Sequence, residues 1–276
     1  MIASYTDVSY DLAEILTQRY SSSFGLATRF FSRDVRKHIY AIYGMVRVAD
    51  EIVDTYKGAD KSELLDSFQQ AVHAGLVHGY STNPIIQAFS AAAREFEIGV
   101  ELIDPFFTSM RMDVSKTQFT QKEYDDYIYG SAEVIGLMCL RVFTHHDHAK
   151  YDALSAGARK LGSAYQKVNF LRDFASDYYD RGRIYFPDAT ITKWGDDKKL
   201  AITQELNREF DEARDAIVLL PQTARTAVYL SFLYYRALLR RLEAMSASQV
   251  LTERAHVSTL LKLSLIVAAP LRGRLR

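Results

Sequence analysis

The sequence predicts an all-α fold, on three observations. Breakers are scarce, since 276 residues include only 5 prolines and 13 glycines. Apolar residues recur at helical spacing along almost the whole chain. No stretch alternates apolar and polar residues with the period of two that a half-buried strand needs, and no hairpin signal stands out. Summed over the periodic segments, the expectation is one domain over residues 1–276, built from about ten helices.

Residues 11–20 open the series. Residues 33–56 are strongly apolar and interrupted only by Gly44. Residues 62–77 read as an amphipathic helix. Asn83-Pro84 places a capping side chain before a proline at the first helical position, and opens a helix to about Gly99. Pro105 stands near the start of the next. Residues 122–143 keep the helical pattern despite Gly130 and Gly136, and residues 151–179 form one long run. Arg181-Gly182-Arg183 and Phe186-Pro187 end that run. Residues 193–197 are the most loop-like. Residues 200–219, 223–244 and 254–269 complete the set. No repeat of solenoid period and no low-complexity linker divides the chain.

Composition narrows the function. Lys+Arg and Asp+Glu are both 34, and 48% of residues are hydrophobic. That apolar content excludes a disordered chain. The absence of a basic surplus argues against nucleic acid as a partner. A lone Cys139 excludes a disulfide framework and a cysteine-rich zinc module, and fits a reducing cytoplasm. The first residues lack the basic start and apolar run of a targeting segment. Leu260–Leu271 is the most apolar stretch near the other end. It contains Lys262 and Pro270 and falls short of the roughly 20 residues a bilayer requires. It reads as a packed helix. The alternative is a surface-seeking amphipathic end with Arg272, Arg274 and Arg276 behind it, in peripheral contact with the inner face of a membrane.

Four Asp-x-x-x-Asp pairs occur: Asp7/Asp11, Asp50/Asp54, Asp173/Asp177 and Asp211/Asp215. Spacing alone says little, but context separates them. Asp211/Asp215 lies in a charge-laced segment that reads as a solvated face, and Asp7/Asp11 in a polar one. Asp50/Asp54 closes a helix that is apolar almost all round and is therefore buried. At roughly 100° per residue, Tyr43, Arg47, Asp50 and Asp54 fall within about 60° of one another. Gln166, Asn169, Asp173 and Asp177 share a face within about 80° by the same arithmetic.

Unpaired buried charge is expensive, so each stripe lines a cavity or meets a partner. Carboxylate and carboxamide oxygens suit Mg²⁺, with Mn²⁺ as the alternative; both keep waters and share phosphate oxygens. The competing reading is structural: Arg47 pairs with Asp50, and Arg172 with a neighbouring acid. Two matching stripes in one bundle favour divalent cations and a diphosphate, with Arg and Lys adding contacts. His145, His146 and His148 surround Asp147 where a helix ends. Capping explains them better than a metal site does. Cys139 lies on an apolar face and reads as a small buried residue.

These residues resemble a known family. Arg47-x-x-Asp50-x-x-x-Asp54 followed by Gln166-x-x-Asn169-x-x-Arg172-Asp173-x-x-x-Asp177 looks like the squalene/phytoene synthases, the trans head-to-head prenyl synthases. Tyr20–Ala27 resembles their flap, and Tyr127–Met138 their glycine-bearing central helix. Arg181–Pro187 resembles the segment after the second acidic motif, and Tyr235–Glu243 a late helix. The match is nearest to bacterial carotenoid-type members, the phytoene synthases. Two positions depart from the pattern: Ser22 stands where the flap often has Lys, and Ser176 where Glu often precedes the last Asp.

The resemblance implies an isoprenoid-synthase-type helical bundle around a central cavity. It implies that Asp50, Asp54, Asn169, Asp173 and Asp177 hold Mg²⁺. Ser21, Ser23, Arg47, Gln166, Arg172, Arg183 and Tyr185 would contact diphosphate or shape its pocket. Tyr43, Tyr129 and Tyr235 would be cavity aromatics near the reacting carbons. The implied reaction joins two prenyl diphosphates 1′–1 through a cyclopropyl diphosphate, from two geranylgeranyl diphosphates to phytoene. Either released diphosphate or a tyrosine would take the proton. The alternatives are a farnesyl-using squalene or dehydrosqualene synthase, NADPH being needed only for squalene, and a catalytically silent relative acting as an assembly factor. A cyclising terpene synthase would show a different second metal motif, with Ser/Thr and Glu ligands.

Overall fold

A computed structural model describes residues 4–21, 25, 27–187, 189 and 191–272; Ser23, expected at the diphosphate, lies outside them. The described residues are helical apart from turns, loops and one isolated bridge between Gln118 and Ile184. Helix α1 (Tyr5–Tyr20) begins with a capping box, Ser4 and Asp7 satisfying each other's backbone N–H groups. It starts earlier than its apolar pattern does, because the cap supplies the nucleus. Helix α2 (Arg33–Asp50) runs into a π-helical turn, Glu51–Thr55, closed by Tyr56 N–H on the Glu51 carbonyl at 3.0 Å. Helix α3 (Lys61–His78) ends at Gly79 in the left-handed region, and α4 (Pro84–Glu95) starts under the Asn83 cap as expected.

Helices α5 (Val100–Ser115), α6 (Gln121–Ile128) and α7 (Val134–Thr144) follow, a second π-helical turn, Tyr129–Glu133, joining α6 to α7. His145 and His146 turn the chain at the end of α7 with positive φ. Asp147 then caps the 34-residue α8 (His148–Arg181), so the histidine cluster is a helix boundary, as its position implied. Then come α9 (Asp196–Ile217), α10 (Gln222–Ala244), the short α11 (Ala247–Val250) and α12 (Thr259–Arg272).

Two boundaries differ from expectation. Helix α9 starts four residues before Leu200, because Asp196 reaches across to accept the Ala247 N–H at 2.7 Å. Helix α12 starts at Thr259 and leaves residues 253–258 without helix, because Arg254 in that segment is held by Asp173 on α8.

Helix α8 is the spine. It packs against α7, α9, α10 and the second π-helical turn, while α1 packs on α2 and α4. The contacts beside α8 and α5 are close enough to exclude side chains. A Cβ on Gly130 would lie 2.1 Å from the Pro105 carbonyl oxygen, and one on Gly162 would lie 2.6 Å from that of Ala132. Between α8 and α9, Lys167 reaches Glu205 and Glu209, and the Ser163 hydroxyl donates to both Glu209 oxygens at 3.1 Å. One apolar cluster runs from Phe31 to Val257 through nearly every helix. It leaves a space in the middle.

Candidate active site

That space is a cavity of about 890 Å³. Helix α2 lines it with Ile39, Tyr43, Arg47 and Asp50, and Asp54 follows in the π-helical turn. Helix α8 lines it from Leu154 through Gly157, Leu161, Tyr165, Gln166 and Asn169 to Asp173 and Asp177. Both acidic stripes therefore lie near the C-terminal ends of their helices. Carbonyl dipoles there add negative potential to that of the carboxylates. The α-helical arithmetic stops at Asp50, since Asp54 sits in a wider turn, yet both stay on the wall.

Arg181 ties the stripes together, at 3.3 Å from Asp54 and 2.9 Å from Asp177. Arg172 and Arg254 both hold Asp173, Arg254 at 2.7 Å. Asp50 differs: no ion pair among the described residues reaches it, and burial together with Asp54 pushes its carboxyl up to about 7. Burial likewise raises Asp177 to about 6, against the pull of Arg181. Burial would raise Asp173 too, but hydrogen bonds from Arg172 and Arg254 outweigh it and hold it below the usual range. The site has more negative charge than its own arginines neutralise around Asp50, which is the electrostatic condition for a bound cation. Among the described residues no three His, Cys, Asp or Glu side chains converge closely enough to hold a metal alone. Spaced single carboxylates suit a cation that keeps its waters and shares phosphate oxygens.

Arg47 pairs with Glu51, where the structural alternative had Asp50, and stacks over Tyr20 at 4.4 Å. Its Nε is buried without a hydrogen-bond partner, so a donor remains for an anion in the cavity. Tyr43 shares a hydrogen bond with Ser21. The Tyr235 hydroxyl donates to Asn169 Oδ1 at 3.4 Å, and its ring stacks on Tyr165 at 3.9 Å. Tyr165 was not singled out in the sequence, although it stands next to Gln166 on the stripe's flank.

Three further expected residues are placed on or behind this wall. Tyr129 is off the cavity wall: its ring lies under Arg159 at 5.3 Å, and the same segment presents Tyr127 and Ser131 instead. The π-helical turn that begins at Tyr129 shifts the register there. Arg183 is buried behind the wall, paired with Asp54 at 3.4 Å and Asp113 at 3.5 Å. Tyr185 borders the cavity, and its hydroxyl donates to Asp113, which also lines it, at 2.8 Å. Cys139 is also on the wall, half-buried, with burial pushing its thiol up to about 12.

The sequence reading missed Arg181, Arg254 and Asp113. Arg181 could have been found, standing one turn after Asp177. Asp113 carries a weaker signal, a single acid beside methionines and valine. Arg254 carries none, since only the tertiary path brings it to Asp173.

The family model described as squalene/phytoene synthase matches residues 17–260. Phytoene synthase of Arthrospira platensis is 27% identical over 96% of this chain and 94% of its own length. Chloroplastic phytoene synthase 1 of Solanum lycopersicum is 27% identical over 92% of this chain, which spans about 66% of that relative's length. A dehydrosqualene synthase solved in complex with ligand superposes with a TM-score of 0.82 at 22% identity, covering 97% of both chains. Squalene synthase HpnC from Alicyclobacillus acidocaldarius superposes at 0.76 and 21% identity, over 87% of this chain and 94% of its own.

Proposed function

The chain belongs to the squalene/phytoene synthase family, and on that premise we propose that it joins two geranylgeranyl diphosphates head to head, 1′–1, to give phytoene. One observation carries this reading: two acidic stripes meet at one end of a single cavity whose remaining walls are mainly apolar and aromatic.

Asp50, Asp54, Asn169, Asp173 and Asp177 would hold Mg²⁺, or Mn²⁺ in its place. Bound there, the cation supplies positive charge to a departing diphosphate. Arg47 and Arg172 add charge-assisted hydrogen bonds to the same anion, and Ser21 and Gln166 shape its pocket. Walls such as Ile39, Leu161 and Phe170 exclude water from the carbocation left behind. The ring faces of Tyr43, Tyr165 and Tyr235 stabilise it through their quadrupoles. The second chain's double bond attacks, a proton leaves, and a cyclopropyl diphosphate forms. A second ionisation and rearrangement completes the 1′–1 bond. A final proton loss ends the reaction without a reductant, so NADPH is required only if the product is squalene.

Cavity length supports C20 chains over C15. The α8 lining from Asn169 back to Leu154 spans fifteen residue-to-residue steps, or about 22 Å at 1.5 Å per step. C–C bonds of about 1.5 Å make an extended isoprene unit about 5 Å long, so a C20 chain spans about 20 Å and a C15 chain about 15 Å. Incubation with Mg²⁺ and either geranylgeranyl or farnesyl diphosphate should yield a C40 hydrocarbon at a kcat/KM at least about tenfold above that for C30. A methylene-rich chain gains about 0.8 kcal/mol per buried CH₂. A preference for the C15 substrate would transfer the assignment to the farnesyl-using synthases. No release of diphosphate from either would leave the silent assembly factor.

A hydrocarbon product has to leave for an apolar phase. No helix among the described residues is long and apolar enough to cross a membrane. Helix α12 instead faces both ways. Leu265 and Ile266 line the cavity, while Leu260 and Leu263 are 81% and 55% exposed. The enzyme thereby touches the cytoplasmic face of a membrane through α12. Vesicles of phosphatidylcholine and phosphatidylglycerol should co-sediment it, and Leu260→Ser with Leu263→Ser should reduce the bound fraction about tenfold or more. Equal sedimentation of both proteins would remove α12 from the contact.

A further inference from the structure

Asp113 is buried on α5 and belongs to neither acidic stripe. Its side chain accepts hydrogen bonds from Tyr127 at 2.6 Å and Tyr185 at 2.8 Å. Its backbone carbonyl accepts from Arg183 Nη2, and Arg183 Nη1 lies 3.5 Å from its carboxylate. The same Nη1 lies 3.4 Å from Asp54 Oδ1. Arg183 is itself buried, and Ile184 beside it is pinned by its N–H to the Thr117 carbonyl at 2.9 Å. One guanidinium is thus shared between a stripe carboxylate and a carboxylate outside the stripes.

We propose that Asp113 is a positioning residue: it fixes Arg183, and through Arg183 it orients Asp54 and balances the charge that Arg183 brings to the cation site. This rests on the reading of Asp54 as a metal ligand. Without the Asp113 charge, Arg183 would have only Asp54 as an anionic partner. It would draw Asp54 into a tight pair and compete directly with a divalent cation for its oxygens. With Asp113 present, Arg183 is divided between two anions and holds Asp54 loosely, so the oxygens of Asp54 stay available. The two tyrosine hydroxyls keep the Asp113 carboxylate aimed at Arg183, as second-layer partners aim a ligand at a metal.

Asp113→Asn keeps the shape and removes the charge. Binding of Mn²⁺ together with inorganic diphosphate, followed by electron paramagnetic resonance, should weaken about tenfold. The Mg²⁺ concentration for half-maximal turnover should rise by a similar factor, with kcat recovered to within about threefold at saturating Mg²⁺. A role confined to holding the fold would lower melting temperature or kcat and leave both cation titrations in place, and that result would overturn the proposal. Tyr185→Phe removes one donor and should shift both titrations about threefold in the same direction. It answers the question even if Asp113→Asn does not fold, and unchanged titrations in it would equally count against Asp113. If wild-type protein binds no Mn²⁺ with diphosphate, the reading of Asp54 as a ligand fails first, and the proposal falls with it.

Discussion

Asp50→Asn should reduce turnover by about 10³-fold or more while raising the melting temperature of the metal-free protein by roughly 5 °C. The first effect follows from the loss of charge stabilisation at the leaving group, where a single preorganised contact contributes on that scale. The second follows from Asp50's own surroundings. It is half-buried, no ion pair among the described residues reaches it, and Asp54 repels it. Its carboxyl is pushed up to about 7 in the folded protein, from an ordinary value of 3.8.

An acid whose folded pKa lies above its unfolded pKa binds its proton more tightly when folded. Its contribution to stability is fully present below about pH 4 and is lost as pH rises through 7. At pH 8 the metal-free wild-type protein has lost that contribution, on the order of 2 kcal/mol after allowing for asparagine's own desolvation. The variant has no such loss, so its advantage should be largest at pH 8 and vanish near pH 4. For a domain of this size about 2 kcal/mol corresponds to roughly 5 °C. Thermal unfolding by circular dichroism at both pH values, with and without Mg²⁺, is the measurement. Mg²⁺ should stabilise the wild-type protein more than the variant. A variant that melts lower than wild type at pH 8 without metal would mean that Asp50 supports the fold.

The second large effect lies away from the cavity wall. Lys167→Met should destabilise the protein by about 3–5 kcal/mol. Lys167 and Glu209 are each 8% exposed and pair at 2.8 Å between α8 and α9. Burial already raises Glu209 despite Lys167 and Ser163, so desolvation dominates its environment. Without its lysine it becomes a buried carboxylate with only a hydroxyl for partner. Glu209→Leu added to Lys167→Met should recover most of the loss, because the double change removes both charges at similar volume. Glu205, 48% exposed, can turn to water and should matter little. Urea unfolding with an unchanged m-value is the test. A double variant as unstable as Lys167→Met would show that packing of the two aliphatic stems, and not the charge pair, holds this contact.

Neither consequence is legible from residue spacing. Asp50 and Lys167 both stand in helical runs that the sequence displays clearly. The partners that come from elsewhere in the chain, Arg183 on Asp54 beside the first and Glu209 on α9 against the second, are set by how the elements pack. The same division runs through the site. That Asp50, Asp54, Asn169, Asp173 and Asp177 line a cavity is legible in the sequence, because a polar stripe on an otherwise apolar helix has few explanations. Tyr129 begins a π-helical turn beside the close approach of Gly130 to Pro105 on α5, a local geometry that α-helical spacing does not display.

By itself the sequence determined the helical class, the order of the helices, and the two acidic stripes, because helix periodicity and buried polar residues are local signals along a single element. The tertiary structure decided which arginines meet those acids, that Tyr185 and Arg183 meet Asp113, and how far the cavity extends along α8. Those facts depend on distances between elements remote in the chain, and helix packing alone sets them.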